Sequence, residues 1–234
     1  EAEVAVSRLR SAGYDNISID IIFGVAGFGD DHLLKSLQRA VALNVEHISA
    51  YHLTVEERTR LGIMTQRGEY RPVDEEQSER EYLLVERVLA EAGYEHYEVS
   101  NYALEGCRAK HNSAYWAGVE YLGIGPGAHS FSGDDRTWCA STAKEYAEGD
   151  IRFEGERLSV IDHLNEYIMT SLRRVEGIDL AYIADHYGEA QRRRVERAAR
   201  VWIDSGALII CGDALAIPTS HLMLSDAIIE TLFA

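Results

Sequence analysis

Four features are scarce in this sequence: cysteine, positive charge, long apolar runs and a secretory leader pattern. Three cysteines in 234 residues are too few and too far apart for a disulfide framework or a cysteine-only metal site, which favours a reducing cytoplasm. No stretch approaches the ~18 uncharged apolar residues of a membrane-spanning helix, and no signal peptide opens the chain. We therefore predict a cytoplasmic protein that is not transmembrane.

The charge balance is strongly acidic. The sequence has 39 Asp and Glu against 23 Lys and Arg, a formal net charge of −16. Charge-driven binding to nucleic acid depends on neutralising phosphates, so this balance argues against a nucleic-acid partner. The 46% of hydrophobic residues allows a substantial core.

The first half of the chain alternates strand and helix signals. Ile17–Phe23 is a β-branched run typical of a buried strand, and Glu46–Leu53 predicts a second strand. The segment between them has helical spacing, with Asp30 or Asp31 as its N-cap. This rhythm is typical of a βαβ unit with parallel strands.

A helix at 74–92 and a strand at 94–100 continue the alternation. Two or three βα units cannot close a barrel, so we predict an α/β fold in which residues 1–150 form part of a (β/α) barrel with an open edge. The helical segment 1–12 has no partner surface before it, so we interpret the chain as part of a longer protein. We expect the open edge either to be covered by 1–12 and the central loop or to produce a homo-oligomer.

Residues 158–234 predict a second, small and mainly helical domain. Its helices are followed by a two-residue hairpin turn at Gly212-Asp213, which is typical of a winged-helix-like module. The basic run Arg192–Arg194 suggests DNA, but the domain holds 7 basic against 11 acidic residues. A solvated helix face is therefore the preferred interpretation.

Asp20 lies in the middle of the first predicted strand. A buried carboxylate is costly unless it is paired, so Asp20 is expected either to be satisfied by backbone amides or an arginine, or to face a ligand. The glycine-rich segment 121–131, "YLGIGPGAHSF", lets the backbone approach a ligand closely, although such a segment is more often a simple turn. It lacks the ending of a P-loop.

His111 and Tyr115 are four residues apart and would share one face of a helix. A neutral imidazole can bind iron, and Tyr115 with Trp116 can lie against a porphyrin. Ordinary core packing is the alternative for these side chains.

Four segments, taken in order, resemble the oxygen-independent coproporphyrinogen III oxidase-like family of radical-SAM proteins. They are "NISIDIIFGVAG", "EHISAYHLTVEERTRLG", "GYEHYEVSNYALEGCRAKHNSAYW" and "YLGIGPGAHSF". The His-Asn-x-x-Tyr-Trp signature at 111–116 is similar to that of the haem-chaperone branch, HemW, rather than the decarboxylating oxidase. The resemblance covers nearly the whole chain, and it corresponds to the C-terminal two-thirds of the family.

This resemblance implies roles for particular residues. It implies an S-adenosylmethionine pocket lined by Asp20, Thr54 and His129. It implies haem at the segment 111–116, with His111 as the iron ligand. The residues beside the macrocycle would be Asn112, Tyr115 and Trp116.

Two departures from the family pattern bear on the cofactors. The CxxxCxxC motif that holds the family's [4Fe–4S] cluster is absent. The Gly-Leu-Pro-Gly-Gln turn after the first strand is replaced by the residues of Gly24–Phe28. We therefore do not expect this chain alone to generate a radical from S-adenosylmethionine.

The sequence leaves three alternative functions open. The first is a haem-trafficking protein whose partners are haem or porphyrin and haem-acceptor proteins. The second is oxidative decarboxylation of coproporphyrinogen III by the longer protein, and the third is a non-catalytic protein-binding module. The first predicts that Asp20 and the segment 111–116 line a single cavity.

Overall fold

The computed structural model describes residues 1–234, which form two compact units. The first unit comprises 1–110, 173–175 and 217–225, and the second comprises 111–172, 176–216 and 226–234. The units interleave along the chain. The sequence-based division into consecutive domains at 1–150 and 158–234 stays a prediction.

The first unit is built on a four-stranded mixed sheet in the order β1-β2-β4-β3. Its strands are β1 (Ser18–Phe23), β2 (His47–His52), β3 (Glu95–Glu98) and β4 (Asn101–Ala103). β1 and β2 pair in parallel, as the βαβ rhythm predicts. β4 is antiparallel to both of its neighbours, so the sheet ends in a hairpin that the sequence analysis did not predict.

Four helices belong to this unit. They are α1 (Ala2–Ser11), α2 (Asp30–Ala42), α3 (Arg60–Gln66) and α4 (Glu75–Glu91). α4 begins as predicted, because the Asp74 carboxylate accepts a hydrogen bond from the Gln77 N–H at 2.8 Å. The predicted cap of α2 is wrong: extended Gly29 is the N-cap, and Asp30 and Asp31 lie in the first turn, where their charges favour the helix dipole.

The expectation that β1 is a buried strand is also wrong. β1 has a single neighbouring strand, so it is an edge of the sheet. Ser18, Asp20 and Ile22 are exposed, while Phe23 is buried. Strand periodicity places alternate residues on opposite faces, but a short apolar run does not distinguish an edge strand from a central one.

The two faces of the sheet differ in chemistry. One face packs against α4: His96 and Tyr102, partners in the β3–β4 register, stack at 4.1 Å, and Tyr82 of α4 lies beside them. The other face carries polar side chains from all four strands, and we call it the polar face.

The second unit contains a three-stranded antiparallel sheet in the order β5-β6-β7. Its elements are α5 (Lys110–Trp116), β5 (His129–Ser132), β6 (Asp135–Cys139), α6 (Ala143–Glu148) and β7 (Phe153–Arg157). The sequence pattern predicts no strand in this region. Every residue of β7 is exposed, so the strand shows no apolar alternation that would predict it.

The remaining elements of this unit match the predicted helices and hairpin. They are α7 (Val160–Leu172), β8 (Ile178–Asp179), α8 (Leu180–Tyr187), α9 (Glu189–Asp204), β9 (Ile209–Cys211), β10 (Ala214–Ala216) and α10 (Ser225–Leu232). β8, β10 and β9 form a small antiparallel sheet, the wing of a winged-helix-like arrangement. Arg192 pairs with Glu196 and Asp213, which agrees with a solvated helix face. No helix of the chain has both the length and the apolar character to cross a bilayer.

Candidate functional site

The polar face of the first unit carries a row of four side chains at one level. Asp20 is paired in register with Ser49, Ser49 with Asn101, and Asn101 with Glu98. Asp20 is exposed, whereas the other three are buried. The structure thus gives Asp20 an open position beside buried polar groups, and the sequence-based idea of a buried Asp20 is wrong because β1 is an edge strand.

His47 connects two strands on the same face. Its Nδ1 lies 2.7 Å from the Ser18 hydroxyl, and its Nε2 lies 2.8 Å from the Tyr97 hydroxyl. Burial lowers the pKa of His47, and the Asp20 charge acts in the opposite direction. Both ring nitrogens are occupied, so His47 orients its neighbours and is not a free ligand.

Asn101 has an unsatisfied group within this row. Its side-chain oxygen is buried and accepts no hydrogen bond from the protein. Burial raises the pKa of neighbouring Glu98, although Ser100 and Asn101 stabilise its charged form. A buried acceptor without a donor is costly, so this face suits a ligand that carries hydrogen-bond donors.

The loop after β1 is fastened to the rest of the first unit. The Gly24 N–H donates to Glu81 at 2.7 Å, and the Ala26 N–H donates to the Tyr70 hydroxyl at 3.2 Å. A pocket of about 240 Å³ lies beside this loop and is lined by Phe23, Phe28 and Leu33, among others. Thr54 is exposed just after the end of β2. It follows Ser49, the partner of Asp20 in the β1–β2 register, by five residues.

The predicted pairing of His111 and Tyr115 is present on α5. Their ring centroids are 4.7 Å apart in an edge-to-face arrangement, as residues four apart on a helix allow. The His111 ring is exposed, and Tyr115 meets it edge-to-face. Asn112 and Trp116 lie on the same helix, and no residue of α5 is fully buried.

Tyr115 begins a longer series of aromatic contacts. Its ring centroid is 4.7 Å from that of Tyr121, and the Tyr121 centroid is 6.1 Å from that of Phe131. Tyr121 and Phe131 exchange two backbone hydrogen bonds of 3.0 and 2.9 Å, which fix their relative positions. We call His111, Tyr115, Tyr121 and Phe131 the aromatic row. Tyr121 and Phe131 are not among the site residues predicted from the sequence, although they bound the glycine-rich segment.

The glycine-rich segment is an ordered turn. A Cβ on Gly123 would lie 2.1 Å from the His129 carbonyl oxygen, so the close approach requires glycine here. The Gly123 N–H donates to the Ser130 hydroxyl at 2.9 Å. Leu122 and Ile124 are 80% and 82% exposed, which leaves two large aliphatic side chains on the surface.

The predicted site residues therefore fall into two groups. Asp20 and Thr54 belong to the first unit, and the segment 111–116 belongs with His129 to the second. His129 stacks against Trp138 of β6 with ring centroids 5.6 Å apart. The single cavity expected for Asp20 and the aromatic residues stays a prediction.

No set of residues in the chain fits a [4Fe–4S] cluster. The three cysteines are free thiols at separate places: Cys107 is half-buried in the loop before α5, Cys139 is buried in β6, and Cys211 is exposed in β9. No group of three or more His, Cys, Asp or Glu side chains is arranged to hold a metal. Four thiolates are the usual protein ligands of such a cluster.

The chain is similar in sequence to curated haem chaperones and to a radical S-adenosyl methionine domain-containing protein. The chain is 34% identical over 236 residues to the haem chaperone HemW of Mycobacterium tuberculosis, covering 99% of this chain and 58% of that protein. It is 32% identical over 188 residues to HemW of Bacillus subtilis, covering 78% of this chain and 50% of that protein. It is 30% identical over 243 residues to mitochondrial radical S-adenosyl methionine domain-containing protein 1 of Danio rerio, covering 97% of this chain and 55% of that protein. The chain thus spans between half and three-fifths of these relatives, and no family model matches it.

A solved structure shows the same fold. The radical-SAM enzyme coproporphyrinogen III oxidase (HemN) of Escherichia coli superposes with a TM-score of 0.76 over 100% of this chain and 58% of that one, at 15% identity. The chain therefore has the fold of this radical-SAM enzyme. Within this class the chain is a homologue of the HemW haem chaperones, which confirms the resemblance found in the sequence.

Proposed function

We propose that this chain binds haem on the aromatic row, with His111 as the axial ligand of the iron, and that it serves in haem trafficking. Haem is the cargo in this proposal. The observation that carries it is an exposed imidazole at the end of a continuous row of three aromatic rings.

The chemistry of the aromatic row suits a metalloporphyrin. The His111 ring is exposed, so its nitrogens are accessible to iron. Tyr115 is 41% exposed and offers an apolar ring with a polar edge beside it. The hydrogen bonds between Tyr121 and Phe131 hold the rest of the row in place, so little ordering is required when a flat ligand binds.

The test is a haem titration of the purified chain, followed by the Soret absorbance. His111→Ala is expected to weaken haem binding by at least about tenfold. Removing a residue that only hydrogen-bonds to a metal ligand already lowers metal affinity by that much, and removing the ligand itself should cost more. His129→Ala is the matched control, because His129 is also exposed but stacks on Trp138 outside the row. An unchanged titration with His111→Ala would remove the role given to His111.

We also propose that the polar face takes part in binding S-adenosylmethionine in the longer protein. Asp20 and the unsatisfied oxygen of Asn101 would accept hydrogen bonds from hydroxyl or ammonium groups of this cofactor. The cofactor supplies one-electron radical chemistry when a reduced iron–sulfur cluster is also present. Because the chain itself offers no ligands for that cluster, activity of this kind is assigned to the longer protein only.

The fold favours one second candidate, oxidative decarboxylation of coproporphyrinogen III. Its support is the fold shared with HemN, at an identity that carries fold alone. The discriminating experiment incubates the complete protein, reduced and anaerobic, with coproporphyrinogen III. Formation of protoporphyrinogen IX would favour the oxidase, and its absence with intact haem binding would favour trafficking.

A protein partner enters the proposal as the acceptor of the haem. Leu122 and Ile124 on the rigid glycine-rich turn provide an apolar surface that a partner protein would cover. A cytoplasmic location and a homo-oligomeric state stay predictions from the sequence.

A further inference from the structure

His186 has the hydrogen bonding of a metal-ligating histidine. It lies in the last turn of α8, and its ring is exposed. Its Nδ1 is 3.0 Å from the carbonyl oxygen of Tyr182. A carbonyl oxygen only accepts, so Nδ1 carries a proton, and Nε2 is the ring nitrogen that a metal can take. No protein group occupies Nε2.

Histidines that bind metals commonly donate their other ring N–H to a carbonyl or carboxylate. This bond fixes the tautomer and the ring direction before the metal arrives. Among the histidines of the second unit, His163 differs, since its Nε2 already contacts the Asp134 carboxylate at 3.2 Å. The His111 ring contacts Tyr115 edge-to-face, and this contact does not select a tautomer. His186 is therefore the better prepared ligand.

Tyrosine side chains surround the His186 ring. Tyr182 stacks on it with centroids 3.8 Å apart and ring planes 21° apart, and the Tyr187 centroid is 6.5 Å away. Tyr167 lies 4.5 Å from Tyr182, centroid to centroid. These contacts hold the imidazole on an aromatic surface that is only partly covered.

The number of donors decides which metal species fits. The chain has no group of three or more metal-ligating side chains, so a bare ion at His186 would find a single protein ligand. A metalloporphyrin differs because its macrocycle already supplies four nitrogen ligands, and it needs one axial imidazole and an apolar surface. Both are present at His186.

We propose that His186 is a second axial ligand for a metalloporphyrin, in a binding position formed by α8 and its tyrosines. The inference rests on the proposed function for the identity of the cargo, but it does not depend on His111. A macrocycle bound at Nε2 lies roughly perpendicular to the imidazole plane, so Tyr182, whose ring is parallel to the imidazole, would meet it edge-on. Two such positions would allow a trafficking protein to hold haem in one place before passing it to another.

Acidic residues near the end of α8 influence which oxidation state of haem would bind at His186. Asp185 and Glu189 are adjacent in sequence to His186 and its helix end, and both are exposed. Negative charge favours the cationic ferric centre and opposes the haem propionates. The position is therefore expected to bind ferric haem in preference to ferrous haem.

The experiment is a titration of the full chain with ferric haem, followed by Soret absorbance and by the low-spin signature of imidazole-ligated iron. In the His111→Ala background, residual imidazole-ligated haem is expected. Adding His186→Ala should abolish that signature and lower the remaining affinity by at least about tenfold. His163→Ala in the same background is the matched control and should change nothing.

Two further titrations separate iron ligation from general adsorption. Metal-free protoporphyrin should bind equally to the chain with and without His186→Ala, and Zn²⁺ alone should show no binding that depends on His186. Residual imidazole-ligated haem in the double variant, or its complete loss in His111→Ala alone, would overturn the inference. Loss of haem on His186→Ala with none on His111→Ala would sustain it and refute the role proposed for His111.

Discussion

Glu81 of α4 accepts a hydrogen bond of 2.7 Å from the backbone N–H of Gly24, in the loop that follows β1. Glu81 is 1% exposed, and its other carboxylate oxygen accepts from the Gln77 amide at 2.7 Å. No lysine or arginine neutralises it. A buried carboxylate held only by two donors is costly, so its position indicates that the turn Gly24–Phe28 depends on it.

Replacing Glu81 with alanine should destabilise the chain by about 1–3 kcal/mol, because the buried N–H of Gly24 loses its acceptor. Glu81→Gln keeps an acceptor oxygen and should cost clearly less. Urea denaturation followed by far-UV circular dichroism measures both. Equal losses for the two variants would show that the charge, and not the hydrogen bond to Gly24, is what the fold requires.

His96 predicts a pH dependence of stability. Burial lowers its pKa from 6.5 to about 4, so between these values the unfolded chain binds a proton that the folded chain does not. Folding stability is therefore fully present above pH 6.5 and falls as the pH drops towards 4, by roughly 3 kcal/mol in all. His96→Phe, which keeps a ring against Tyr102, should show a shallower fall when unfolding is measured by urea at several pH values.

The control for this prediction is His32→Ala, because His32 is exposed on α2. Its curve of stability against pH should follow that of the unmodified chain. Curves that are parallel for His96→Phe and the unmodified chain would mean that His96 is protonated without cost in the folded state.

The close approach at Gly123 gives a prediction for the second unit. Gly123→Ala places a Cβ 2.1 Å from the His129 carbonyl oxygen, so the turn must shift, at a cost of about 1–3 kcal/mol. Gly155→Ala in β7 meets its nearest neighbour at 3.0 Å and should cost less. Thermal unfolding of the two variants compares them, and a greater loss for Gly155→Ala would contradict the account of the turn.

The open edge of β1 predicts self-association. β1 pairs with β2 only, and Ile22 on this strand is 60% exposed. Analytical ultracentrifugation over a range of concentrations should show a dimer or larger species, and Ile22→Lys should shift the chain towards monomer. A monomer at every concentration would contradict this prediction. It would indicate that repulsion between chains of net charge −16 keeps the edge unpaired.

Sequence patterns predicted those elements whose signals are local. Asp74 and Asp179 cap their helices with side chains that accept from the next turn, an interaction that requires no distant partner. Gly212 and Asp213 form the predicted hairpin turn for the same reason. The exposure of Asp20 could not be predicted, because it depends on how many strands flank β1.

The candidate site divides in the same way. The pairing of His111 with Tyr115 follows from helical spacing alone, and the structure confirms it. Tyr121 and Phe131 join the row through a bridge between residues ten apart, in a segment rich in glycine, so no periodicity indicated them. The tautomer of His186 depends on a hydrogen bond that becomes visible only in atomic detail.

The four-stranded sheet interleaves two kinds of residue along each strand. His96 and Tyr102 contribute to the packing under α4, while Asn101, next to Tyr102 on β4, and its β2 partner Ser49 lie on the polar face. Substitutions at every second position can therefore alter what this surface recognises while the packing side keeps its composition. Descendants of such a chain are free to change their ligand far more readily than their architecture.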